Sequence, residues 1–234
     1  MGRLRRGVQR VALLGALGVA ILTAFPLVWL AGRPPVGSAF MLRSRFEDPA
    51  AGRACERVLY RWVDWKDVSP FVPRAIVLAE DQRFLEHDGF DFRSIERALR
   101  SRENDGRVRG ASTITQQLAK NLFLWPGRSW IRKGIEAWYT AWMEVAWPKR
   151  RILELYLNVA QFGPCVFGVE AAAGRYFDVS AAQLTAEQAA LLAAVLPNPA
   201  RLRAHDPGPH ATERAREVLE LLEAKRDAPW LRRL

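Results

Sequence analysis

Two hundred and thirty-four residues, half of them hydrophobic and a tenth aromatic, are enough for one or two domains with a buried core, which excludes a chain disordered throughout. Thirty-five Lys and Arg against 25 Asp and Glu give a formal charge of +10, which calls for an anionic partner: nucleic acid, a membrane surface or a phosphorylated substrate. Two cysteines, Cys55 and Cys165, lie far apart and in no C-x-x-C pattern. They exclude a disulfide framework and a thiolate zinc site, and leave either one disulfide or, as the default expectation, two free and partly buried thiols.

The first 33 residues set the expected compartment. Val11 to Gly32 is a run of 22 residues without a charge, long enough as a helix to cross a hydrocarbon core of roughly 30 Å. Arg3, Arg5, Arg6 and Arg10 precede it with no acid, and only Arg33 follows closely. The positive-inside bias therefore predicts a cytoplasmic N-terminus, an uncleaved anchor and an extracytoplasmic body. The expected divisions are 1–10 (basic cytoplasmic segment), 11–32 (transmembrane helix), 33–45 (linker) and 46–234 (extracytoplasmic domain). Without the five arginines of residues 1–33, the body keeps 30 bases and 25 acids, a net of +5. That argues against nucleic acid, which would lie across the membrane, and leaves anionic lipid or lipid phosphate as the expected partners.

In chain order, strand alternation is scarce and helical patterns dominate. A helix start at Pro73 leads through Ala75 to Ala79 into Glu80 and Asp81. The polar stretch Ser101 to Gly110 reads as a loop and candidate lid. Ser112 is the expected N-cap of the next helix, on which Ile114, Leu118 and Leu122 face the core while Thr113, Gln116 and Lys120 share another face. Further helices are expected over 132–147, 149–158, 168–177 and 185–196, the last stopped by Pro197 and Pro199. A terminal helix over 212–225 reads as an amphipathic surface element. Phe123, Trp125 and Trp130 bracket a turn at Pro126 and Gly127 that belongs either to the core or to a membrane interface.

Three segments carry chemistry. Glu80 and Asp81 end a buried run, where desolvation raises a carboxyl's pKa toward the range a general base needs; a pair of solvated acids at a helix end is the plainer alternative, as a structural histidine is for His87. Ser112, Thr113, Gln116, Gln117, Lys120 and Asn121 can bind sugar hydroxyls and phosphate oxygens, unless they are an ordinary solvated face. Arg132 and Glu136 stand at i, i+4 beside Arg128 and Lys133, which a helix ion pair alone would also explain.

Together these segments resemble the glycosyltransferase family 51 peptidoglycan polymerases. The matching motifs are E-D-x-x-F-x-x-H-x-G at Glu80 to Gly89, G-x-S-T-I-T-Q-Q-L-x-K-N at Gly110 to Asn121, R-K-x-x-E at Arg132 to Glu136, and K-x-x-I-L-E-x-Y-L-N ending at Asn158. None of the eight serines has Lys three residues on, and K-T-G is missing, so the likeness is to the monofunctional biosynthetic form and not to the penicillin-binding one.

The resemblance implies a mainly α, lysozyme-like, two-lobed domain behind a single N-terminal transmembrane helix. It implies a polymerase that joins lipid II into β-1,4 glycan with inversion, in cell-wall biosynthesis and without transpeptidase activity. It implies Glu80 as the base with Asp81 beside it, and Glu136 as a second essential glutamate. Lys120, Arg128, Arg132 and Lys133 are implied as the cations that hold the donor pyrophosphate. A divalent cation, Mg2+ or Mn2+, is implied with that pyrophosphate, with no dedicated metal cage and no organic cofactor. The implied partners are lipid II, growing lipid-linked glycan, the cytoplasmic membrane, and division or elongation proteins of cell-wall synthesis. A lytic muramidase on the same scaffold and a non-catalytic precursor-binding scaffold are the rivals. The first has no need for the cations, and the second none for Glu80 and Glu136.

Overall fold

The computed structural model describes residues 2–105, 112–127 and 129–229. Among these residues, ten α-helices and one small sheet order as α1 (Gly2–Leu30), α2 (Ala39–Ser44), β1 (Leu59–Tyr60), α3 (Phe71–Glu80), α4 (Phe92–Asp105), α5 (Ile114–Phe123), α6 (Trp130–Ala146), α7 (Lys149–Val159), β2 (Gln161–Gly163), β3 (Val166–Phe167), α8 (Val169–Phe177), α9 (Ala186–Val195) and α10 (Pro209–Ala224). The mainly α, lysozyme-like expectation holds. The one sheet among the described residues has strand order β1-β3-β2, with β1 parallel and β2 antiparallel to β3.

The helices fall into two packing groups. One joins α3, α9 and α10; the other joins α5 to α6, α7 and α2, with α1 against α6. α3 sends Val72, Ala75, Ile76, Val77 and Leu78 inward, an almost continuous apolar run that a helix adopts only when enclosed on most sides. α9 is similar, with six of its ten residues buried. Its start is fixed by a capping box in which Thr185 and Gln188 satisfy each other's backbone amides. On α5, Ile114, Leu118 and Leu122 face the core as the spacing predicts. α10 is the amphipathic helix expected, with Ala211, Ala215, Val218 and Leu222 burying one face against α9 and α3.

α1 holds an 18-residue window, Leu13–Leu30, long and apolar enough to cross a membrane by length and composition. Its C-terminal part is fastened to the body. Pro26 cannot donate to the carbonyl of Leu22 four residues back, and Tyr139 Oη on α6 donates to that carbonyl at 3.2 Å. Trp138 Nε1 donates to Thr23 Oγ1 and Trp147 Nε1 to the Leu27 carbonyl, both at 2.9 Å. Arg151 donates to the carbonyls of Leu30 and Arg33, giving the helix C-terminus both hydrogen bonds and positive charge.

Several expectations shift. The stretch expected as a linker carries α2, capped by Ser38 and packed on α5. α3 begins at Phe71, so Pro73 lies in its first turn and not at its start. Residues 101–105 continue α4 instead of opening a loop, and the rest of the expected lid lies outside the described residues. The N-cap of α5 is Thr113, one residue after Ser112, because Gln116 at the third helical position completes a capping box with it. Cys55 and Cys165 are not free thiols but a disulfide, with Cα atoms 5.8 Å apart across 110 residues of chain. Buried Asp48 organises the bridge, accepting from Ala50 N, Gln161 Nε2 and Cys165 N. Trp125 and Trp130 are exposed, at 51% and 89%, and so do not belong to the core.

Candidate active site

Glu80 is the last residue of α3. Its position follows from the apolar run before it: α3 is buried to its final turn, so its last side chain emerges where the two helix groups meet. The carboxylate is only 9% exposed. Oε2 accepts from Gln117 Nε2 at 2.8 Å and Oε1 from Arg214 Nη2 at 3.2 Å. Gln117 is itself oriented by the buried Tyr156 hydroxyl, which donates to its Oε1 at 2.8 Å. Burial lifts the Glu80 carboxyl above the ordinary glutamate range, while Gln117, Arg214 and Lys120 favour the anion. Burial likewise holds the Tyr156 phenol protonated well past its usual value, so it remains a donor.

Asp81 stands beside Glu80 and is tied into the surrounding segments. It is buried, and it accepts from His87 Nε2 at 2.9 and 3.1 Å and from the Ile114 amide at 3.0 Å. His87 Nδ1 accepts from the Gly89 amide, which places the ring proton on Nε2. Asp81 thus ties the end of α3 to the 87–89 turn and to the start of α5. Thr113 and Gln116 are framework too, since Thr113 Oγ1 donates to the Gly89 carbonyl at 2.7 Å and Gln116 Oε1 accepts from the Thr113 amide. Asp81, Thr113 and Gln116 thus line the groove, as expected, and also use their polar atoms to build it.

Three adjoining cavities run through this region. One of about 560 Å³ is lined by Glu80, Asp81, Arg83, Arg97 and Ser112. Another of about 590 Å³ is lined by Ser112, Gln117, Lys120, Arg132, Lys133 and Glu136. A third of about 280 Å³ shares Gln117 and Lys120 with it and adds Asn121, Tyr156 and Gln161. The second is cationic. Arg132 Nη1 donates to Glu136 Oε2 at 2.8 Å, and Lys133 Nζ donates to Glu136 Oε1. Lys120 stands free of a carboxylate partner among the described residues, and burial lowers its pKa, reinforced by Arg132 and Lys133 and opposed by Glu136. Arg132 Nε is buried with no acceptor among the described residues. Arg128, expected in this cluster, lies outside the described residues.

The fold thus brings Glu80, Ser112, Gln117, Lys120, Asn121, Arg132, Lys133 and Glu136 to one groove. Arg214 is the contact that motif reading missed. It sits 134 residues from Glu80 on a helix whose other basic residues face solvent, and no local spacing distinguishes it from Arg216. Arg83 and Arg97, which also line the groove, were likewise not singled out.

This helical scaffold, with the buried carboxylates of Glu80 and Asp81 at the junction of its two packing groups and a cationic pocket alongside, is of the lysozyme-like class. The family model described as Transglycosylase matches residues 51–223. A biosynthetic peptidoglycan transglycosylase of Xylella fastidiosa (strain 9a5c) is 57% identical over 154 residues, covering 66% of this chain and 63% of that protein. Its counterparts in Cronobacter sakazakii (strain ATCC BAA-894) and Stutzerimonas stutzeri (strain A1501) are 47% and 42% identical, covering 93% and 95% of this chain and 88% and 90% of theirs. Against the Xylella relatives the match thus spans a little under two thirds of their length. The chain belongs to the transglycosylase family.

Proposed function

We propose that the chain polymerises the glycan strand of peptidoglycan, transferring the growing lipid-linked glycan from its pyrophosphate to the 4-hydroxyl of lipid II. The observation that carries this reading is the pairing of one buried, pre-oriented carboxylate, Glu80, with a groove whose far side holds Lys120, Arg132 and Lys133 against the single carboxylate of Glu136. A hydroxyl is a weak nucleophile at neutral pH. Glu80 takes its proton as the oxygen attacks the anomeric carbon from the face opposite the phosphate, so a carbon–oxygen bond forms as the anomeric carbon–phosphate oxygen bond breaks, with inversion. The electron pair leaves on the pyrophosphate, whose growing negative charge Lys120, Arg132 and Lys133 stabilise in a partly desolvated pocket. Arg132 Nε, without an acceptor among the described residues, leaves part of that guanidinium's hydrogen-bonding capacity unspent. Glu136 holds the Arg132 and Lys133 head groups in place.

A divalent ion accompanying the pyrophosphate fits as part of the substrate and not as a resident of the protein. Among the described residues Glu136 is the one carboxylate lining the cationic pocket, and each of its oxygens is engaged by a basic side chain. Phosphate oxygens and water would be such an ion's ligands, and no step of the reaction is routed through it.

The membrane belongs to the same reading. α1 anchors the chain with its N-terminus in the cytoplasm and the catalytic domain on the outer, periplasmic face. Trp125, Trp130 and Ile131, all exposed, enter the headgroup region where prenyl-linked substrate resides. Cell-division or elongation proteins would meet the enzyme there. The test is direct: full-length protein in detergent, incubated with fluorescent lipid II and divalent metal, converts it to a product that muramidase digests. Shortening of preformed glycan instead would establish a lytic enzyme, and binding of lipid II without turnover a scaffold.

A further inference from the structure

We propose that Arg214, on the C-terminal helix α10, is a positioning residue for Glu80, aiming its carboxylate into the groove and holding it in the anionic form. The inference rests on the reading of Glu80 as the base. Arg214 Nη2 lies between two acceptors at the C-terminal end of α3, the Ala79 carbonyl at 3.3 Å and Glu80 Oε1 at 3.2 Å. That end of a helix presents unpaired carbonyls and a partial negative charge, both of which oppose ionisation of a carboxyl there. A guanidinium at this place satisfies one carbonyl and offsets the field. The Arg214 Nε is buried with no partner among the described residues. The side chain therefore leaves one of its own donors unsatisfied while reaching Glu80, as expected where geometry serves the neighbour.

The groups facing Glu80 define what Arg214 alone supplies. From α5, Gln117 gives a neutral hydrogen bond and Lys120 a weaker cationic influence; from α7, Tyr156 is a protonated phenol reaching Glu80 only through Gln117; and Asp81, next in sequence, is engaged elsewhere. Arg214 is the one cation in hydrogen-bond contact with the carboxylate among the described residues. α10 is held to this segment a second time, by Lys225 Nζ donating to Gln82 Oε1 at 3.1 Å. The last helix of the domain, outside the sequence motifs, thereby becomes part of the apparatus that sets the base.

The experiment compares full-length wild type, Arg214→Gln, Arg214→Lys and Glu80→Gln in detergent. Carboxyl carbon NMR on protein labelled at the glutamate side chain follows the Glu80 titration without substrate, its resonance assigned by its loss in Glu80→Gln. The pH dependence of kcat/KM for lipid II polymerisation is measured in parallel. In Arg214→Gln the Glu80 titration and the acid limb of the rate profile both move up by about one pH unit; Arg214→Lys, which keeps the charge, moves them by less than half as much. A folded Arg214→Gln protein whose Glu80 titrates as in wild type overturns the proposal. So does an unmoved acid limb with a raised KM, which would make Arg214 a substrate contact. If the Gln variant does not fold, Arg214→Met, which retains the packed stem, is judged by the same criteria. The titration needs no turnover, so its failure counts against Arg214 alone, whereas polymerisation by Glu80→Gln would remove the base assignment and this inference with it.

Discussion

Replacing Asp81 by Asn separates a framework carboxylate from a reacting one. The two side chains are nearly isosteric, but the carboxylate accepts from the His87 ring and the Ile114 amide together, and its side chain and that of His87 are 3% and 5% exposed. Asn has one acceptor oxygen. Set at the Oδ2 place, that oxygen still meets His87 Nε2 and the Ile114 amide, at 3.1 and 3.0 Å, but the NH2 group then replaces the oxygen 2.9 Å from the His87 Nε2 donor, so a buried donor faces a donor. Loss of a hydrogen bond to a charged group costs roughly 1.5–3 kcal/mol and an unsatisfied buried donor roughly 1–3 more, so we expect about 3 kcal/mol of destabilisation. For a chain of this size that lowers Tm by about 6–12 °C, read by thermal unfolding of the full-length protein in detergent. Below the transition, the variant should retain turnover with the acid limb of its pH profile where wild type has it, since Glu80 keeps Gln117 and Arg214. A variant as stable as wild type but without turnover would refute this, and would return Asp81 to the chemistry.

Three further outcomes follow from the geometry. Polymerisation by wild type should fall as pH drops through a Glu80 value above the ordinary glutamate range, because protonation removes the base; it should fall again at high pH as Lys120 loses its proton below the ordinary lysine range. A pH–rate profile of kcat/KM checks both limbs. Gly89 has φ +84°, and a Cβ there would stand 2.6 Å from Thr140 Cγ2 and 3.0 Å from Glu144 Cγ; Gly89→Ala should therefore cost about 3 kcal/mol from strain and crowding, measured by denaturation. Non-reducing peptide mapping should recover Cys55 joined to Cys165, and the double Ser variant should lose roughly 2–5 kcal/mol of stability.

What was legible in the sequence is what has a local cause. The long apolar helix α1 is a composition signal, and the expected helices carry their periodicity within a few residues, so their ends shift by at most three residues, as at Thr113, where the capping box decides. The charged run at 101–105 reads as a loop because no apolar stripe marks it, yet α4 carries through it. Lys120 and the Arg132–Glu136 pair were legible because each sits within a single helix, and Glu80 because its motif runs on without a break from the last residue of α3. Roles were less legible than positions. Asp81 and Thr113 become framework through partners in other segments, Ile114 and Gly89 respectively. Arg214 is visible only once α10 docks on α3. The cysteine pairing depends on a 110-residue closure, which no local pattern encodes.

The central claim is that Glu80 removes a proton and does not merely hold substrate. Full-length wild type and Glu80→Gln, shown to be equally folded, should bind lipid II with closely similar affinity in a fluorescence titration, because the Lys120, Arg132 and Lys133 pocket is untouched. Only wild type should form polymer, the variant losing at least the roughly 10²–10⁴-fold that a positioned general base contributes. Polymer formation by Glu80→Gln within a few-fold of the wild-type rate would contradict the account.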